Sequence, residues 1–149
     1  MAAKKSQKAL VVLLVEADVL VRFALADHLR ACAIRVIEAV DADDAKAILV
    51  AGPDINILLS DTQLAGEGSG FVLAQWVRRH RPNIETILTG SIVSKTQAVS
   101  DILARIPGCT PQSDAATLTV NLNAMLAERR RRLRQQPKGA PMKRKRQRA

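Results

Sequence analysis

Short runs of apolar residues alternate along this chain with longer stretches in which apolar positions recur at helical spacing. Residues 10–15 (LVVLLV) and 55–60 (INILLS) are apolar almost throughout, and 34–38 (IRVIE) and 85–89 (ETILT) are short and rich in β-branched side chains. Runs of this kind that do not alternate with polar residues fit strands of a parallel sheet covered on both faces. Between them, 19–31 carries Val19, Phe23, Ala24 or Ala26, and Leu29 at helical spacing. Residues 45–50 follow an acidic first turn at Asp41, Asp43 and Asp44, and 71–81 places Phe71, Leu73 or Ala74, and Val77 on one side. Asp18 and Asp114 stand where helix N-caps are expected, and Gly52-Pro53 and Pro82-Asn83 are stop signals. Residues 94–106 form a weaker helical pattern. The last helix carries Leu118, Leu122, Met125 or Leu126, and eventually Leu133, while 107–111 (PGCTP) holds at most a very short strand. The order is β-α repeated five times, which predicts an α/β, doubly wound, five-stranded parallel sheet.

Acidic residues close both central apolar runs. Glu16-Ala17-Asp18 follows the first and Asp61 the second, and Glu16 and Asp61 lie 45 residues apart. A carboxylate at a buried strand tip loses hydration at a cost of about several kcal/mol unless it is paired. Two such tips side by side form an anionic pocket, and such pockets hold cations. In doubly wound sheets functional groups gather at the carboxyl ends of the strands, where Glu16, Asp61 and Thr89 all fall.

Composition changes this picture at the end of the chain. The net charge of +9 conceals a division: residues 129–149 contain eleven Lys or Arg and no acid. Taking these from the total of 23 leaves 12 basic against 14 acidic residues over 1–128, a net of −2. The expected organisation is a disordered start over 1–8, one globular domain over 9–127 and a basic helix extension and tail over 128–149. With two Phe, one Trp and no Tyr, the core must be aliphatic. No run reaches the ~18–20 apolar residues of a membrane span, and the N-terminal run, ending in Glu16, is too short for a secretory signal. Cys32 and Cys109 have no metal-ligand spacing and cannot make a disulfide framework, so a reduced, cytoplasmic protein is expected. The glycines at 66, 68 and 70 are expected to supply turn conformations rather than a phosphate cradle. His28 and His80 are expected on helix surfaces, and no nucleophile–base pair points to an enzyme.

The runs LLVEADVLVRFALADHLR, INILLSDTQLAGEGSGFVLAQWVR and TILTGS resemble the receiver domain of bacterial response regulators, the CheY-like superfamily with a flavodoxin-like (βα)5 fold. The resemblance covers about residues 9–127. It implies a two-component phosphorelay in which Asp61 accepts a phosphoryl group from a sensor histidine kinase or a phosphotransfer protein. It also implies Mg²⁺ held by Glu16, Asp61 and the backbone carbonyl of Gln63, and Thr89 as the switch that senses the phosphoryl group; Asp18, expected first as a helix cap, is a further candidate ligand. Three departures matter. Ala17 stands where the second acid of the family's pair belongs, which weakens the Mg²⁺ site. The family's lysine after the fifth strand is replaced by Thr110-Pro111 or Pro111-Gln112, with Lys95 and Arg105 too early in the chain to serve. The aromatic switch residue is absent, Ile106-Pro107-Gly108 standing in its place.

The expected function is therefore that of a single-domain response regulator signalling through protein–protein contact. The alternative is a receiver-like adaptor that works without phosphorylation. The basic tail admits three readings: a disordered extension, a homodimer or partner arm continuing the last helix, or, less favoured without aromatics for stacking, a nucleic-acid contact. No membrane contact is expected.

Overall fold

The computed structural model describes residues 9–65 and 69–136. The expected disordered start, Gly66, Gly68 and the tail beyond Gln136 lie outside the described residues. Among those described, the order is β1 (Val11–Val15), α1 (Val19–Arg30), β2 (Arg35–Ala39), α2 (Ala42–Ala51), β3 (Ile57–Asp61), α3 (Gly70–His80), β4 (Glu85–Thr89), α4 (Ile92–Leu103) and α5 (Ala115–Gln135). The strands form one parallel sheet in the order β2-β1-β3-β4.

All five residues of β1 are buried, and their alternation divides the core in two. Val11, Leu13 and Val15 pack with Ala45, Leu49, Leu73 and Val77 of α2 and α3. Val12 and Leu14 pack with Leu25, Leu29, Val99, Ile102 and Leu122 of α1, α4 and α5. The chain steps outward from β1 to β2 and in the opposite direction from β3 to β4, so the winding reverses between β1 and β3. A crevice opens at the carboxyl ends of strands flanking such a reversal. Glu16 follows β1 directly and Asp61 is the last residue of β3.

Several expectations are corrected. The described sheet has four strands, not five. Residues 107–111 form no strand because Pro107 and Pro111 lack backbone donors and Gly108 turns with φ +77. The buried side of α1 is Val21, Leu25, Ala26, His28 and Leu29, leaving Val19 and Phe23 exposed. His28 is thus a buried residue rather than a surface one, and Phe71 lies outside the α3 core face. Cys32 and Cys109, 77 residues apart with Cα atoms 5.5 Å apart, are joined in a disulfide, against the expectation of free thiols. The bridge ties the turn after α1 to the α4–α5 connection, where the fifth strand is missing. No described helix is long and apolar enough to cross a membrane.

Candidate functional site

The acidic tips meet, and a lysine lies between them. The inner face of α4 is Lys95, Ala98, Val99, Ile102 and Leu103, the spacing of one helical stripe. Lys95 is the first member of that stripe, so its stem is carried under the protein surface toward the rim of the sheet. Its Nζ lies 2.8 Å from Glu16 Oε1 and 3.0 Å from Asp61 Oδ2. The start of α4 is fixed one turn earlier by a reciprocal cap, in which Ser91 and Ser94 each bond the other's backbone N–H.

The remaining carboxylate oxygens are also engaged. Glu16 Oε2 accepts the Asp18 N–H at 3.1 Å, and Asp61 Oδ1 accepts the Gln63 N–H at 3.0 Å. The Glu16 carbonyl accepts a 2.7 Å hydrogen bond from Arg22 Nη1. Asp18 turns away from this pair. Its Oδ1 caps α1 by accepting from the Leu20 and Val21 N–H groups, and its two oxygens take Arg129 Nη1 and Nη2 at 3.0 and 2.6 Å. Lysine and arginine side chains from α1, α4 and α5 therefore converge on the single loop 16–18.

Two further residues set the geometry around Asp61. Thr89 is buried and pairs with Asp61 in the β3–β4 register, its carbonyl accepting the Thr62 N–H at 3.0 Å. Gly70 starts α3 directly against the backbone of Asp61, and its N–H donates to the Thr62 carbonyl at 2.9 Å. A Cβ at position 70 would overlap the Asp61 carbonyl oxygen. Close approach, not a positive φ, is the reason for glycine here.

Burial is the largest single influence on the Lys95 ammonium and opposes its charge. The hydrogen bonds it donates to Glu16 and Asp61, with their Coulomb attraction, together outweigh it and raise the Lys95 pKa. The hydrogen bonds from Arg129 hold the Asp18 carboxyl below its ordinary range, against a smaller upward push from burial.

The donor set does not fit Mg²⁺. Ala17 supplies no carboxylate, Glu16 and Asp61 each give an oxygen to Lys95, and the Asp18 carboxylate is committed to Arg129 and the helix cap. The Gln63 N–H donates to Asp61 Oδ1. Among the described residues no group of three or more His, Cys, Asp or Glu is placed to hold a metal ion. Of the residues singled out from sequence, Glu16 and Asp61 meet through Lys95, Thr89 adjoins Asp61, and Asp18 belongs to a neighbouring ion pair. Lys95, set aside as too early in the chain, is the residue the sequence reading missed. The signal was there: it is the one cation between Arg81 and Arg105, and it falls on the apolar stripe of its helix.

No protein-family model and no curated protein matches the chain. Solved structures do. A signal receiver domain of an HD domain-containing protein from Pseudomonas fluorescens is 19% identical with a TM-score of 0.57, over 91% of this chain and 99% of that one. A response regulator receiver protein from Pseudomonas putida is 24% identical with a TM-score of 0.53, over 57% and 70%. The receiver domain of the response regulator Ssk1 from Saccharomyces cerevisiae, solved with the histidine phosphotransfer protein Ypd1, is 20% identical with a TM-score of 0.50 over 64% and 76%. At these identities the likeness is one of architecture: the chain has the receiver fold, with four strands of the sheet among the described residues.

Proposed function

We propose that this chain is a receiver-fold signalling module that acts by binding a partner protein, with its two pocket carboxylates bridged by Lys95 and without phosphoryl turnover at Asp61. The observation that carries the reading is the Lys95 ammonium within 3.0 Å of both pocket carboxylates. Phosphoryl transfer to a carboxylate needs a free nucleophilic oxygen and enough positive charge to offset what builds on the transferring group. Here each Asp61 oxygen already accepts a hydrogen bond, which lowers its nucleophilicity, and one ammonium against two carboxylates leaves the pocket with a net negative charge toward an incoming dianion. The carboxylates and lysine then serve as a fixed brace that joins β1, β3 and α4.

The test is to incubate the full chain with acetyl phosphate and Mg²⁺ and to measure its intact mass. The expected result is no phosphoryl adduct. A stoichiometric adduct that Asp61→Asn abolishes would overturn the reading.

A second reading, acceptance of a phosphoryl group by Asp61 from a sensor kinase or phosphotransfer protein, draws support from two observations. Asp61 sits at the tip of β3 with Thr89 beside it, and the yeast relative of similar fold was solved with a phosphotransfer partner. Under that reading a phosphorylated phosphotransfer protein labels Asp61 even where the small donor does not. Under the adaptor reading it binds the chain without labelling it.

A further inference from the structure

The longest helix leaves most of its apolar surface uncovered. α5 runs from Ala115 to Gln135 but buries only Leu118 and Leu122. Past Leu122 its inner side and the first turn of α1 enclose a groove of about 680 Å³, floored by Val19, Leu20, Met125 and Leu133 and rimmed by Arg129 and Arg132. Val19 is 59% exposed and Leu133 60%. Apolar side chains at this exposure, grouped in a concavity, mark a surface that another element covers.

Charge decides which element. The acids at the groove are spent: Asp18 on Arg129, and Glu128 on Arg131 and Arg132. Arg130 and Arg134 add exposed positive charge on the same two turns. Over Asp18, Glu128 and the five arginines from 129 to 134 the net charge is +3. The chain's own tail, with six Lys or Arg and no acid over 137–149, would be repelled. A second copy related by a two-fold axis through this groove would set Arg129 and Arg132 against their own counterparts. Both walls are helical and the floor residues on α5, Met125 and Leu133, lie about two turns apart, so a helix laid along the groove can seat apolar side chains at i and i+7.

We infer that the α1–α5 groove docks an amphipathic helix of acidic character from a partner protein, with apolar residues on Met125 and Leu133 and carboxylates on the arginine rim. The inference names the partner class for the adaptor reading and rests on it. Electrostatic attraction to the rim makes this contact weaken with salt.

Two fluorescein-labelled peptides test it by anisotropy against the full-length protein. One is a heptad peptide with Leu at a and d and Glu at most other positions, and the other is a scramble of the same composition. The expected result is that the heptad peptide binds about tenfold tighter or better, and that the charge-neutral double variant Met125→Gln, Leu133→Gln removes that margin. Both positions are exposed, and an unchanged far-UV circular dichroism spectrum verifies the fold. Equal binding of the two peptides, absence of binding, or binding that ignores the double variant and so reports the tail, would each overturn the inference. So would a sedimenting dimer that the double variant dissociates, which would assign the groove to a second copy. A phosphoryl adduct at Asp61 is read in a separate experiment, so failure of the adaptor reading and failure of the groove are told apart.

Discussion

Lys95 and Arg132 each sit within about 3.0 Å of a carboxylate, yet they do different things. The Lys95 side chain is 8% exposed and its partner Glu16 4%, whereas Arg132 is 76% exposed and Glu128 39%. At the sheet rim the ion pair replaces lost hydration, so removing one partner strands a charge in a place that water reaches poorly. On the arm, water and salt solvate both partners with or without each other, and the pair adds little to stability. The comparison separates a structural use of charge from a recognition use. The rim spends its cations on its own carboxylates, and the arm keeps an excess of them facing outward.

Breaking the rim gives the largest effect. Lys95→Ala is expected to destabilise the protein by about 3–5 kcal/mol in urea unfolding at neutral pH, because Glu16 and Asp61 are then left facing each other. The pH dependence sharpens the point. Lys95 has a raised folded pKa, so its contribution is complete below its unfolded value of about 10.4 and is lost as pH rises through the folded value. The gap between the native protein and Lys95→Ala is therefore expected to narrow at strongly alkaline pH.

Reduction of Cys32–Cys109, or Cys32→Ser, is expected to cost about 2–4 kcal/mol by releasing a loop of 77 residues in the unfolded chain. Thermal unfolding with and without a dithiol measures it. Asp18→Ala is expected to cost about 1 kcal/mol through the lost α1 cap. Because the Asp18 pKa is depressed, its contribution is present above about pH 4 and lost as pH falls through the folded value. The native protein and Asp18→Ala should therefore converge in acid. The smallest effect belongs to the exposed pair Arg105–Glu85, where Arg105→Ala is expected to change stability by about 0–1 kcal/mol, less at high salt. A cost for Arg105→Ala equal to that of Lys95→Ala would dissolve the contrast between rim and surface.

Much of the fold was legible because strand burial leaves a plain mark. The LVVLLV and INILLS runs became β1 and β3, ETILT became β4, and the carboxylates that close the first two met at one rim. The fifth strand was read from a repeat count rather than from its own residues, and Pro107, Gly108 and Pro111 argue locally against it. Helical spacing from Val19 puts Phe23 on the apolar side of α1, yet the stripe that includes Val21, Leu25 and Leu29 satisfies the sheet and leaves Phe23 outside. Lys95 was passed over because the cation was sought at a position fixed by a family pattern. A lysine on the buried stripe of α4 needed only a carboxylate partner, and two stood at the adjoining strand tips. The disulfide could not be read from two cysteines 77 residues apart, since their proximity depends on how α1 and the α4–α5 link pack.

The central claim is that Lys95 takes the role of the pocket's counter-ion. It is tested most directly by following thermal unfolding of the native protein and of Lys95→Ala across a Mg²⁺ titration. The account predicts that the native midpoint stays where it is, while the variant, with Glu16 and Asp61 released, is stabilised as Mg²⁺ rises. A native midpoint that climbs with Mg²⁺ while the variant's does not would contradict it.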